Sequence, residues 1–173
     1  MLRWRLGFLV LALSCAGMIG FALYEQYYNF LMPCLMCIYQ RMAVISYGFV
    51  ALLAVLWAPK TRGGVYVIGA LASIASLGGA FAAAKHVMLQ YGPKDPTVSC
   101  APSLPFPIDF NDPKWPAWFS GLFRPVGDCS NIDLTVFGLS MPVWVVVACL
   151  GLFGAAMLLC RLRARELQRG WWR

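Results

Sequence analysis

The sequence predicts an all-α fold: an integral membrane four-helix bundle with a long irregular outer loop that carries a short interfacial helix. Three observations predict it. Apolar residues make up 61% of the chain and charged residues 12%, against about 25% charged in a soluble domain, so lipid is the solvent for most of it. Four apolar stretches, 6–24, 38–57, 65–84 and 137–159, have the length of about 20 residues that crosses a bilayer core of about 30 Å as a helix. The basic residues lie at the edges of these stretches. The net charge of +7 therefore reads as a topology signal, not as a nucleic-acid footprint. The 173 residues form a single membrane domain in this reading.

The first stretch follows the basic segment Met1–Arg5 and resembles a secretory signal, with a lipobox-like Ala12-Leu13-Ser14-Cys15 inside it. Against cleavage, Ala12 stands where lipoprotein signals prefer Leu. The apolar run also continues nine residues past Cys15, too far for a removable segment. It reads as span one.

Orientation follows from Lys and Arg near the span ends. Arg3 and Arg5 precede span one, Lys60 and Arg62 lie between spans two and three, and Arg161, Arg163, Arg165, Arg169 and Arg173 follow span four. These belong on the cytoplasmic side, with both termini. The outward side then holds a short loop, about 25–37, and a long one, about 90–136. In the long loop Lys94, Lys114 and Arg124 are outnumbered by Asp95, Asp109, Asp112, Asp128 and Asp133. The long loop holds eight prolines and resists regular structure. Within it Trp115, Trp118, Phe119, Leu122 and Phe123 repeat at i, i+3, i+4, i+7 and i+8, one apolar helical face with Pro116 suited to the first turn. That predicts a helix lying in the membrane interface; the plainer alternative is a loop whose aromatics cap the bundle.

The chain has seven cysteines. Cys15, Cys149 and Cys160 fall inside or at the cytoplasmic ends of spans and read as small packing residues. Cys34, Cys37, Cys100 and Cys129 all fall on the outward side, which in bacteria is an oxidising compartment. Cys34-Leu35-Met36-Cys37 is a C-x-x-C pair, close enough to open and close a disulfide reversibly. Pro33 breaks the preceding chain, so Cys34 begins helix two, where the helix N-terminus is expected to lower its thiol pKa. A structural bridge is the bland reading, but stable bridges rarely use a two-residue spacer. A zinc site of four cysteines is disfavoured because zinc ribbons usually offer two C-x-x-C pairs, whereas the 28 residues 101–128 split the second pair here. No metal is expected. Cys100 and Cys129 are read as a pair with each other, in surroundings that look exposed and flexible, which makes their disulfide an exchangeable one.

Two further residues lie at membrane depth. Arg41 is one helical turn past Cys37 on the same face, and a cation inside a span marks function by default. It is suited to stabilise a Cys37 thiolate or the anion of a reduced acceptor; the alternative is an Arg that snorkels to the headgroups. His86, near the outer end of span three, is suited to relay protons. Electrons taken from thiols outside must go onward. The chain has no haem-attachment C-x-x-C-H, since Ile38 follows Cys37, and no G-x-G-x-x-G fingerprint. A lipid-soluble quinone entering between helices near Cys37, Arg41 and His86 fits by chemistry alone.

The run Pro33-Cys34-Leu35-Met36-Cys37-Ile38-Tyr39-Gln40-Arg41, the segment His86-Val87-Met88-Leu89-Gln90, the triplet Gly127-Asp128-Cys129 and the run Gly138-Leu139-Ser140-Met141-Pro142 resemble the bacterial disulfide bond formation protein B (DsbB) family, in the family's order and over essentially the whole chain. The resemblance implies an inner-membrane enzyme that reoxidises a periplasmic thioredoxin-fold oxidase of the DsbA type and passes two electrons to a membrane quinone, ubiquinone or menaquinone. It implies attack of the reduced partner on Cys100, release of Cys129 to attack Cys34, and a Cys37 thiolate left beside the quinone with Arg41 and His86 near it. Gln40 stands where family members often carry Glu, and no role is assigned to it. Two other readings compete. A vitamin K epoxide reductase-like protein would carry its C-x-x-C in a late helix, after the loop cysteines. A structural or adhesion protein with stapled outer loops has no use for Arg41 below Cys37.

Overall fold

The structure is a computed structural model that describes residues 2–92, 114, 116, 119, 122–123, 125, 127, 129–130, 132 and 134–169. Four helices account for most of them: α1 (Leu2–Tyr28), α2 (Leu35–Trp57), α3 (Arg62–Tyr91) and α4 (Met141–Arg169). All four are long and apolar enough to cross a membrane. The chain is a multi-pass membrane protein of all-α class. In sequence order α1 packs on α2, α2 on α3 and α3 on α4; the first two connections are short, while α3 and α4 pack although a long loop joins them.

The helices extend past the apolar stretches. At 27, 23, 30 and 29 residues and about 1.5 Å per residue, they project into the headgroup layers. Their ends have local causes. Cys34 caps α2 in extended conformation, and Thr61 caps α3 by accepting the Gly64 N–H. α3 ends at Gly92, the residue before a proline, where helical backbone is disfavoured.

The fourth span differs from its expected start at residue 137. Phe137 and Gly138 have φ of 52° and 78°, the left-handed pair that a tight two-residue hairpin demands. They join two short strands, β1 (Thr135–Val136) and β2 (Leu139–Ser140), so α4 begins only at Met141. Phe137 is almost wholly exposed and meets the Trp144 ring edge-on. Of the expected interfacial helix, Trp115 and Trp118 lie outside the described residues. Phe119 donates its N–H to the Pro116 carbonyl, and its ring tilts against Phe123 at 4.8 Å. Cys100 also lies outside the described residues.

The core occupies the interior of the bundle toward the end that carries the chain termini. Trp4, Phe8, Tyr47, Val65 and Ile68 fill it with small residues between them. Side chains such as Leu13, Leu56, Ile74, Phe81 and Leu158 point outward and exposed, an apolar outer surface that lipid covers. Two polar groups tie helices across the core: Trp4 Nε1 donates to the Ala54 carbonyl at 2.7 Å, and Tyr47 Oη donates to the Leu152 carbonyl at 2.8 Å. Interhelical bonds of this kind contribute about 0.6–2 kcal/mol each in a bilayer.

Candidate functional site

The opposite end of the bundle is polar inside. Pro33 closes the loop after α1, and Cys34 is the residue from which α2 starts. Its sulfur accepts the Cys37 backbone N–H at 3.3 Å, satisfying one of the donors that every helix N-terminus leaves open. The same turn of helix brings the two side chains together. Cys34 Sγ and Cys37 Sγ lie 2.9 Å apart as free thiols sharing a hydrogen bond. That bond, with burial, pushes the Cys34 thiol up. The helix end does supply a donor, but the neighbouring sulfur and desolvation outweigh it.

His86 comes from α3 and is buried. Its Nε2 is 3.6 Å from Cys34 Sγ, and its Nδ1 is 3.1 Å from Gln40 Nε2. The imidazole therefore bridges the dithiol and a buried amide one turn further along α2. Gln40 is a site residue that sequence reasoning left without a role. Its signal was only its place, three positions after Cys37 and next to Arg41 in a largely apolar helix.

Arg41 is also buried. Among the described residues its guanidinium donates to Gln26 Oε1 at 2.7 Å, to the Leu122 carbonyl at 3.1 Å and to the Ala22 carbonyl at 3.4 Å. It thus ties α2 to α1 and to the long loop. Hydrogen bonds to a charged group contribute about 1.5–3 kcal/mol each, which holds this cation inside rather than at the headgroups. Gln26 had no sequence signal, because a partner fifteen positions away follows no helical period.

The long loop returns to the dithiol. Gly127 donates its N–H to the Pro33 carbonyl at 3.0 Å and pairs with Cys34 in a parallel bridge. A Cβ at position 127 would stand 2.4 Å from the Met32 carbonyl oxygen and 3.3 Å from the Cys34 nitrogen, so only glycine permits the approach. Two residues on, Cys129 is disulfide-bonded. It is buried in one cluster with Cys34 and Leu35, against Cys37, Tyr39 and Leu89. The expectation that Cys129 sits in an exposed stretch is corrected: it is 1% exposed, because the Gly127 bridge seats it against α2.

Beside these groups is a cavity of about 170 Å³. Met18, Ile19, Val44 and Val145 give it apolar walls, and Cys34, Cys37, Arg41 and His86 line it. An apolar cavity of about 150 Å³ holds one benzene ring, so a single six-membered ring fits. The arrangement of apolar walls with a few converging polar groups is that of a small-molecule site. The ligand atoms of Cys34, Cys37 and His86 all lie within 4.8 Å of one another.

Comparison with known proteins gives a consistent match. The model of a family described as disulfide bond formation protein DsbB matches residues 4–159. The chain is similar to a disulfide bond formation protein B of Xanthomonas campestris pv. campestris, 41% identical over 152 residues, 87% of each chain. Its similarity to the protein of that name in Chromobacterium violaceum is 39% over 145 residues, 83% of this chain and 84% of the relative. For the Methylococcus capsulatus protein it is 36% over 155 residues, 90% and 92%.

Proposed function

The chain belongs to the disulfide bond formation protein DsbB family, and on that premise we propose that it is an inner-membrane oxidase that draws electrons from a periplasmic thioredoxin-fold dithiol protein of the DsbA type and delivers them to a membrane quinone. The observation that carries the proposal is the open Cys34–Cys37 dithiol on the wall of an apolar cavity, with a disulfide-bonded cysteine packed against it.

Cys100 is the sulfur that the reduced partner attacks. A mixed disulfide forms with the partner, and Cys129 leaves as a thiolate. Cys129 then attacks Cys34 of a closed Cys34–Cys37 bond, which frees Cys37. The partner's second thiol attacks its own mixed disulfide and departs oxidised. Cys100 in turn displaces Cys34 from Cys129, so that Cys34 and Cys37 end as a dithiol. Two electrons have moved from partner to inner pair. Closing Cys34–Cys37 again gives up two electrons and two protons. With the Gln40 amide turned so that its oxygen accepts an Nδ1–H, His86 Nε2, at 3.6 Å from Cys34 Sγ, is free to take the Cys34 proton. Arg41 and His86 are the residues that hold the acceptor's ring in the cavity, and the apolar walls exclude water. When bound, a quinone supplies a two-electron, two-proton acceptor.

The test is quinone reduction by the purified protein in detergent, with a reduced thioredoxin-fold periplasmic oxidase as donor. Quinol formation that needs both Cys37 and Cys100, judged by Cys37→Ser and Cys100→Ser, is the expected result. Absence of quinol from well-folded intact protein sinks the quinone reading.

A further inference from the structure

The same dithiol has a second chemistry that electron transfer does not require. Two thiols and one imidazole, within 4.8 Å of each other, are the donor set that zinc, cadmium and copper(I) prefer. We propose that the reduced form of the chain binds one such soft or borderline metal ion through Cys34 Sγ, Cys37 Sγ and His86 Nε2, and that closing the Cys34–Cys37 disulfide expels it. The inference rests on reading Cys34 and Cys37 as a pair that opens and closes.

Four features support it. Metal–sulfur bonds of about 2.3 Å and metal–nitrogen bonds of about 2.0–2.1 Å at tetrahedral angles put sulfur and nitrogen about 3.6 Å apart. Cys34 Sγ and His86 Nε2 already stand 3.6 Å apart. The two sulfurs, now at 2.9 Å, must open to about 3.8 Å for the same geometry, a shift that small rotations of the cysteine side chains provide. Second, a ligating histidine characteristically has its other ring nitrogen hydrogen-bonded, which fixes which nitrogen faces the metal. Gln40 lies on Nδ1 at 3.1 Å; turning that amide end for end presents its oxygen to an Nδ1–H and leaves Nε2 bare toward the sulfurs. Third, the Cys37 N–H already donates to Cys34 Sγ, and such a donor stabilises a thiolate. Fourth, all three ligands line the cavity, so a fourth position remains open to water or another small ligand, as in sites with three protein ligands.

The balance is simple. Binding releases the two thiol protons, and no electron moves. Forming the Cys34–Cys37 bond sends two electrons to the acceptor and consumes both thiolates, leaving one imidazole that holds no ion. A metal at this place competes with oxidation of the dithiol. The ion would act as a brake that engages only reduced chains.

The test uses the full chain in detergent with Cys100→Ser and Cys129→Ser, so that Cys34 and Cys37 are the only redox pair. Cadmium is titrated into the phosphine-reduced and the diamide-oxidised protein, and the ultraviolet thiolate-to-cadmium band is read. The expected result is one equivalent bound by the reduced form and none by the oxidised form, which keeps Cys15, Cys149 and Cys160 as an internal control. His86→Ala is expected to weaken binding by about 10-fold or more. X-ray absorption of the zinc complex, made on the chain that keeps His86, is expected to show two sulfurs and an imidazole nitrogen. A band of equal size in the oxidised form, no band at all, or a metal shell without nitrogen overturns the proposal. No quinone or thiol donor enters this experiment, so its failure leaves the oxidase reading standing, and failure of quinol formation leaves this one standing.

Discussion

Cys149 in α4 and Cys34 at the start of α2 are equally buried, each 2% exposed, yet they sit in opposite kinds of interior. The Cys149 sulfur lies over Gly79, where a Cβ would come within 3.0 Å of it. Cys15 and Cys160 are similar: Cys15 lies over Gly48, and the Cys160 thiol reaches the Val65 carbonyl at 3.7 Å. These three sulfurs fill space where helices approach closely, and buried structural thiols of that sort are inert. Around Cys34 are a second sulfur, an imidazole and a backbone N–H, with a cavity alongside. Burial is common to both sites. What differs is whether the neighbours can exchange protons and electrons with the sulfur.

The sharpest way to break this comparison is to remove one thiol from each site. Cys37→Ser is expected to lower thiol-driven quinol formation on the order of 10³-fold or more, as loss of a covalent reactant does. Cys149→Ser should leave the rate unchanged within about 2-fold, since surface and packing changes away from a reacting group rarely touch it. A Cys149→Ser chain that folds but has lost activity would erase the distinction between the two sites.

A smaller effect tests the imidazole. His86→Ala is expected to slow closure of the Cys34–Cys37 bond by about 100-fold, the usual range for a positioned proton acceptor, and to change the pH dependence of that step in stopped-flow. Gln40→Leu should reproduce part of this, by about 10-fold, because it frees the ring without removing it. Equal rates in all three proteins would mean the proton leaves by another path.

Gly127 tests how the long loop is seated. Gly127→Ala places a methyl 2.4 Å from the Met32 carbonyl oxygen, and overpacking of this kind costs about 1–3 kcal/mol. The expected outcome is a drop of about 5- to 100-fold in the yield of a trapped Cys34–Cys129 bond in a Cys37→Ser, Cys100→Ser chain, read on a non-reducing gel. An undiminished yield would show that Cys129 reaches Cys34 without the bridge. The smallest effect belongs to the core. Gly79→Ala meets both Ala43 Cβ and Cys149 Sγ at 3.0 Å and is expected to cost about 1 kcal/mol in thermal unfolding, with activity per folded molecule retained. Adding Cys149→Ala should restore part of that loss.

The number of helices, their approximate places and the C-x-x-C at the start of the second were legible in the sequence. Each depends on quantities summed along the chain: the transfer of about 20 consecutive residues into hydrocarbon, or the way proline ends a loop and lets a helix begin. Arg41 and His86 were legible as isolated polar residues at the wrong depth. Their partners were not. Whether His86 meets Cys34, whether Gln40 meets His86, and whether Arg41 turns to Gln26 depend on how far each helix is rotated about its axis, and many side chains across three helices settle that jointly. The hairpin at Phe137 was hidden because its residues are apolar and read as span, although their backbone is left-handed. The burial of Cys129 was hidden because a proline-rich loop carries no period from which to read its fold. The sequence by itself determined which segments leave water and which residues carry redox chemistry, since those are properties of composition and spacing. Only the tertiary structure decided which of those residues touch, because contact between helices is set by packing and hydrogen bonds between residues far apart in the chain.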